Sequence, residues 1–303
     1  MTRSFLPFAS IIVPVLNGER TIRECLASLL KMDYPPERRE ILVVDNGSTD
    51  RTEAIVQSYP AALVREKREG AAAARNRGIE TSRGAILAFT DADCVVTTRW
   101  LSELVQGFED PAMAAVEGRT IAYLPTSPAE LFAAVRGSHS VHRSPEHFLF
   151  PYVNTCNVAF RQEVFSRIGL FDTRFPSAGG EDVDFGWRFF REKDLKLLHN
   201  PKAVVFHRHR KTAWGYFRQQ MRYGRGLAIL QAKYPEKLSW GWQQEFRAWA
   251  VLPAFAWAAG RAAMKSGLQR GKQKDFYELY FTFLRKFAVR LGFVWRALEG
   301  RRQ

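Results

Sequence analysis

The sequence predicts an α/β protein, a mostly parallel central sheet flanked by helices with a basic, aromatic-rich helical C-terminal extension. Three observations predict it. Short apolar, β-branched runs alternate with helical periodicity through the first half of the chain. Asn and Asp residues recur just beyond the ends of those apolar runs. The charge is split: residues 1–200 carry 24 Lys/Arg against 26 Asp/Glu, a net of −2, whereas residues 201–303 carry 21 against 5, a net of +16, with six of the eight tryptophans.

The elements follow in order. Ser10–Val15 (SIIVPV) reads as a buried parallel strand. Asn17 is placed to cap the next helix, in which Ile22, Leu26, Leu29 and Leu30 recur at helical spacing. Glu40–Val44 is a second strand ending in Asp45-Asn46-Gly47-Ser48, then come a helix near Thr52–Ser58 and a weak strand at Ala61–Val64. Gly70–Glu80 (GAAAARNRGIE) reads as a glycine turn opening a helix, and Ala85–Thr90 (AILAFT) as a buried strand running into Asp91-Ala92-Asp93. Beyond these, strands are expected in Met113–Tyr123, over Asn154–Phe160, and as two short pieces at Lys196–Leu198 and Ala203–His207. Helices are expected at Pro128–His139, Gln162–Ile168, from Glu181 to about Arg191, and over Phe276–Leu298, where the large apolar residues follow the 3.6 period. In a parallel sheet, ligands bind beyond the carboxyl ends of the strands, so Asn17, Asp45, Asp91 and Asp93 are expected in one crevice.

The 303 residues suffice for one large domain or two smaller ones, and the boundary is expected at residues 212/213, with 1–212 catalytic and 213–303 helical. Apolar residues at 46% and charged residues at 25% exclude wholesale disorder. Three scattered cysteines are too few for a disulfide framework and read as buried filler in a reducing compartment. No secretory signal is expected in the first 20 residues, and the longest uncharged apolar run, Ala248–Gly260, contains Pro253 and is too short to span a bilayer.

Several groups can carry chemistry. Two carboxylates one residue apart after a buried strand can hold a hard divalent cation, although turn-forming Asp residues also gather at strand ends. Asp45 can accept from a base or ribose, or belong only to an Asn-Gly turn. Glu181-Asp182, behind a glycine-rich loop, can take a proton from a hydroxyl, or simply cap a helix. His207 and His209 end a strand and can complete a metal site or form a surface cluster. Gln219, Arg222 and Tyr223 set an amide, a guanidinium and an aromatic ring on nearly one helix face, suited to phosphate and sugar.

Taken in order, SIIVPVLN (10–17), EILVVDNGSTDRT (40–52), GAAAARNRGIE (70–80), AILAFTDADC (85–94), NTCNVAFRQEVFSRIGLFD (154–172), GGEDVDFGWR (179–188) and AVVFHRH (203–209) resemble the family 2 inverting glycosyltransferases. The resemblance implies the GT-A fold, a Rossmann-like architecture. It implies that Pro14, Asn17 and Asp45 line a nucleotide pocket, with Asp45 on the base, usually uracil, and that Gly70 and Arg75 flank the nucleotide. It implies Asp91 nearer the ribose, Asp93 and His207 on a divalent cation (Mg or Mn), and Asp182 as general base with Glu181 beside it. Gln219, Arg222 and Tyr223 resemble the Q-x-x-R-W motif, with Tyr in place of Trp, and would meet acceptor or diphosphate. Asp184 competes for the basic role. Asn46 stands where many members have a second Asp.

The implied activity is metal-dependent inverting transfer of a sugar from a nucleotide-sugar, usually UDP-linked, to an acceptor hydroxyl on a glycan or a lipid-linked molecule. The basic, Trp-rich C-terminal region, with Trp240, Trp242, Trp249, Trp257 and Trp295, suits peripheral contact with a membrane surface, at the cytoplasmic face, or packing on the catalytic body. Nucleic acid is not expected, because no binding module accompanies the charge. Two other classes stay open: a sugar nucleotidyltransferase on a related fold, and a non-catalytic basic membrane- or polysaccharide-binding protein. The first would usually carry a glycine-rich phosphate loop with a basic residue after its first strand, where this chain has Val15-Leu16-Asn17-Gly18.

Overall fold

The computed structural model describes residues 6–136, 152–175, 179–238, 249–254, 256–258, 261 and 273–299. The chain divides into two compact units, the first formed by residues 1–123, 138–177 and 181–208, the second by 124–137, 178–180 and 209–303.

The first unit is built on one eight-stranded mixed sheet. Its strands are β1 (Ala9–Val15), β2 (Arg39–Asp45), β3 (Ala62–Arg65), β4 (Ile86–Phe89), β5 (Cys94–Val96), β6 (Met113–Ala122), β7 (Val158–Arg161) and β8 (Lys196–His207). They lie in the order β3-β2-β1-β4-β7-β6-β8-β5. The four consecutive strands β3-β2-β1-β4 are parallel, as the alternating strand and helix signals predict. β7 then runs antiparallel to both β4 and β6, β6 pairs parallel with β8, and β5 closes the edge antiparallel to β8. The helices are α1 (Ile22–Leu30), α2 (Thr52–Gln57), α3 (Ala71–Thr81), α4 (Trp100–Gln106), α6 (Glu163–Ile168) and α7 (Glu181–Arg191).

Both faces of the sheet are buried. Ile11, Val13 and Val15 of β1 and Ile41 and Val43 of β2 join α1 and α4 in one core, while Ile12, Leu42 and Val44 turn to a second core with α3, α6 and α7. This is the period-2 alternation of a strand between two helical layers, and it explains why these runs are apolar at every position. The second core is rich in interlocked rings, with Phe171 stacked on Phe185 at 4.5 Å and Phe160 edge-on to Phe185 at 5.3 Å.

Three sequence expectations are corrected. The strand expected over Asn154–Phe160 begins at Val158, because Asn154–Asn157 form a turn in which the Asn154 carbonyl accepts from Asn157 N–H and its side chain from Cys156 N–H. The two short strands at 196–198 and 203–207 are one strand, β8, whose register against β6 shifts between Gly118 and Arg119. Asn17 does not cap α1. It adopts φ +52°, and its Oδ1 accepts from the Thr49 N–H at 2.9 Å, tying the β1 loop to the β2 loop.

The second unit contains α5 (Pro128–Arg136), α8 (Ala213–Lys233) and α9 (Gln273–Glu299). The expected helix over 128–139 is described to residue 136, and the rest lies outside the described residues, as do Trp240 and Trp242. Ala129 and Phe132 of α5 pack with Tyr216 of α8 and Phe281 of α9. α8 and α9 run side by side in the same direction, since Tyr216 meets Phe281, Phe217 meets Phe287, and Arg225 lies over Trp295. They approach closely through glycine. A Cβ at Gly224 would sit 2.0 Å from the Val289 carbonyl oxygen, and one at Gly292 would sit 2.0 Å from that of Met221. Hence the deepest positions of α9 are Phe281, Ala288 and Gly292, while most of the predicted apolar stripe is only half-buried. Among the described residues no helix is long and apolar enough to cross a membrane.

Candidate active site

The parallel strands β2, β1 and β4 end side by side, so the loops that follow them leave from one edge. Beyond β1, Asn17 N–H donates to Ser48 Oγ and Gly18 N–H to Thr52 Oγ1, both at 2.8 Å. Asp45 is 2% exposed. Its Oδ2 accepts from the Gly47 and Ser48 N–H groups at 3.2 and 3.0 Å, whereas buried Oδ1 has no hydrogen-bond partner among the described residues. Pro14, one residue before the end of β1, is half-buried. Asn46 ties this loop to the turn before α3. Its amide donates to the carbonyls of Glu66 and Arg68, and its Oδ1 accepts from Gly70 N–H at 2.7 Å. Gly70 has φ +113°, a conformation open to glycine. The Asp-to-Asn difference at position 46 therefore has a structural account, since a carboxylate could not donate to two carbonyls.

Beyond β4, the chain turns at Asp91–Cys94 through a Cys94 N–H to Asp91 O bond of 3.0 Å. Asp91 and Asp93 diverge from this turn. Asp91 Oδ1 lies 3.2 Å from Arg75 Nη2, and Arg75 Nη1 donates to Glu181 Oε1 at 2.7 Å. Arg75 is 3% exposed and its guanidinium lies over the Phe171 ring. Burial alone would discharge it, but Asp91 and Glu181 more than offset this and hold it charged. Burial also raises the Asp91 carboxyl above its usual range, opposed by Arg75.

Asp93 has a different partner. Its Oδ1 lies 3.5 Å from His207 Nε2, and its carbonyl accepts from Arg208 N–H. The β5–β8 register sets Cys94 opposite His207, which delivers the imidazole to Asp93. Atoms of Asp93, Cys94 and His207 lie within 4.8 Å of one another, a separation that a single bound cation can span. Cys94 is fully buried and burial raises its thiol pKa, so it remains protonated beside Cys156. The oxygen of Asp93 and the nitrogen of His207 are the donors that suit a hard or borderline divalent ion.

α7 starts at Glu181, after Gly179 and Gly180 at φ +134° and +107°. Asp182 follows, with Oδ1 accepting from Val183 N–H at 2.9 Å. Burial, then the charge of Glu181, push its carboxyl up to about 7, with Arg75 pulling the other way. Its rival Asp184 is fully buried and bound to Arg188 Nε at 3.1 Å.

The structure thus brings together Arg75, Asp91, Glu181 and Asp182, and joins Asp93 to His207. Two of these side chains have protein partners that the sequence did not indicate. Arg75, expected beside the nucleotide, has both terminal nitrogens on carboxylates. Glu181, expected on acceptor or diphosphate, is 2% exposed and paired with Arg75. Gln219, Arg222 and Tyr223 are carried by α8 in the second unit. There the Tyr223 ring lies against Gly179, where a Cβ would approach Tyr223 Cδ1 to 2.8 Å. Two neighbours escaped sequence reasoning: Phe171 beneath Arg75, and Cys94 within reach of the Asp93–His207 pair. The position of Cys94 next to the D-x-D was the available signal, but its facing His207 depends on a strand pairing that local sequence does not encode.

A mixed α/β sheet with acidic groups gathered at the ends of its parallel strands defines an α/β class of fold whose ligands sit beyond those strand ends. Residues 10–169 match the model of the family described as glycosyl transferase family 2, and the chain belongs to that family. It is 33% identical over 187 residues to glycosyltransferase AglE of Haloferax volcanii, covering 58% of this chain and 60% of that protein. It is 28% identical over 239 residues to the pre-mycofactocin glycosyltransferase of Mycobacterium tuberculosis, covering 75% of this chain and 48% of that one. The chain therefore spans about half to three fifths of the length of these relatives. The fold matches a mannosyltransferase of Pyrobaculum calidifontis, solved in complex with GDP-Man and Mn2+, at a TM-score of 0.64 and 22% identity, covering 96% of this chain and 88% of that one.

Proposed function

We propose that the chain is a metal-dependent inverting glycosyltransferase. It moves a sugar from a UDP-linked nucleotide-sugar to an acceptor hydroxyl on a lipid-linked or envelope glycan. The observation that carries this reading is the Arg75 fork, which joins the first acid of the D-x-D to the residue preceding Asp182.

The residues divide the work. Asp45, whose Oδ1 has no partner among the described residues, accepts from the base. Pro14, Asn17 and Gly70 shape the pocket around it, and Asp91 meets the ribose. Asp93 and His207 would hold a divalent cation, whose charge offsets that of the departing diphosphate. Asp182 takes the proton of the acceptor hydroxyl as that oxygen attacks the anomeric carbon. The bond to the diphosphate oxygen breaks on the opposite face, so one displacement inverts the anomeric centre. Gln219 and Arg222 meet acceptor or diphosphate.

Residues 201–303, at net +16, form the part that meets an anionic membrane surface at the cytoplasmic face, where a lipid-linked acceptor would lie. Val15-Leu16-Asn17-Gly18 lacks the phosphate loop of a nucleotidyltransferase and argues against that alternative.

The test is a thermal-shift screen of nucleoside diphosphates and nucleotide-sugars with and without Mn2+. A ligand that binds the folded state at 100 times its Kd adds about 2.7 kcal/mol of stability. A UDP-sugar is expected to raise the melting temperature only when metal is present. No metal-dependent shift with any of them removes this reading.

A further inference from the structure

Arg75 sits one turn into α3, with two acids at its tip that are far apart in sequence. Asp91 lies 16 residues away and Glu181 lies 106 away. The side chain is only 4% exposed, and its two terminal nitrogens each serve one carboxylate. Its Nε is buried with no hydrogen-bond partner among the described residues, so the guanidinium is oriented for the two acids at the expense of its Nε–H. A planar fork with fixed donor directions transmits geometry in a way that a point charge on a flexible stem does not. Each acid adjoins a residue with a chemical role, since Asp91 is two positions from Asp93 and Glu181 is one position from Asp182.

We propose that Arg75 is a positioning residue, whose fork fixes the separation between the donor end of the site, at Asp91 and Asp93, and the proton-accepting end, at Asp182. The proposal rests on the reading of Asp182 as the base and the D-x-D as the donor end. It assigns Arg75 no contact with the nucleotide. Loss of the fork with a cation kept beside Asp91 leaves donor binding near native and misplaces the base.

The experiment uses the full chain with the UDP-sugar found active in the screen. Arg75→Lys keeps the charge but cannot span both carboxylates. Its kcat is expected to fall at least 30-fold, with the donor KM and the Kd of UDP in Mn2+ within threefold of native. Glu181→Gln keeps an oxygen for Nη1 and is expected to lose less than fivefold in kcat, whereas Glu181→Ala loses at least 30-fold. Circular dichroism and melting temperature check folding, and if Arg75→Lys fails to fold, the Glu181 pair decides. Several outcomes overturn the proposal. One is a UDP Kd at least tenfold weaker with kcat preserved, the signature of a direct nucleotide contact. Another is a kcat loss below 30-fold in the folded Arg75→Lys or in Glu181→Ala. A third is an equal loss in Glu181→Gln and Glu181→Ala, which would make charge rather than geometry the cause. If native protein turns over no UDP-sugar, the functional reading fails independently of Arg75.

Discussion

Asp182 is a carboxylate surrounded by conditions that oppose its ionisation. Burial and Glu181 hold its pKa near 7, against 3.8 for a free side chain. In the base role proposed for it, it must be unprotonated, so kcat/KM is expected to rise with pH through about 7 and level off above. A pH–rate profile with the acid limb centred below 5 would contradict this. The stability effect has the opposite sign. The proton is held more tightly folded than unfolded, so ionisation above 3.8 destabilises the fold progressively until about pH 7. Asp182→Asn is therefore expected to lose at least 100-fold in kcat while melting no lower than native at pH 8, as calorimetry would record. Asp93→Ala is expected to abolish the Mn2+-dependent thermal shift, whereas Asp184→Asn should affect stability first, through its bond to Arg188. At this scale the motifs were legible, because Asp45, Asp91, Asp93 and Asp182 follow strand ends or open a helix. The nearness of His207 to Asp93 was expected from the resemblance, whereas the Arg75 fork was not, since Glu181 lies 106 residues from Arg75.

Among the elements, the β6–β8 pair shows how tightly the sheet is made near the site. At the register shift, a Cβ on Gly118 would fall 2.1 Å from the Ala203 carbonyl oxygen, beside the Asn157 amide. That amide donates to the Arg119 and Ala203 carbonyls, while its Oδ1 accepts from Trp100 Nε1 at 2.8 Å. Gly118→Ala is expected to cost about 1–3 kcal/mol as backbone or amide moves aside, measurable by denaturant titration. Asn157→Ala should cost at least as much, since it strands a buried indole N–H and two carbonyls. The strands of the first half were readable because alternation on two buried faces is local information. The single length of β8 was not, because Asn200-Pro201 interrupts its apolar pattern and only pairing with β6 carries the strand across.

For the whole molecule, the separation of charge is the largest feature visible in composition, and it was legible without structure. Trp214 and Trp257 are each 65% exposed. Lys211 and Arg218 are exposed alongside Trp214. Co-sedimentation with anionic vesicles is expected at about 0.1 M salt and should fall steeply at about 0.5 M, as screening weakens contacts of about 1 kcal/mol per basic residue. Binding to neutral vesicles of equal strength would remove the electrostatic account. The sheet order has a further consequence. β4 and β5 are consecutive in sequence yet have three strands between them. On a flat sheet, four strand spacings would part them by about 19 Å. The chain from Phe89 to Cys94, even pulled straight, reaches only about 18 Å, and here it closes in a turn. The sheet must therefore curl, with the Asp91–Cys94 turn bridging the ends of the arc. The same arc sets β5 against β8 with Cys94 opposite His207, so the groups proposed to hold the cation meet where the bend closes.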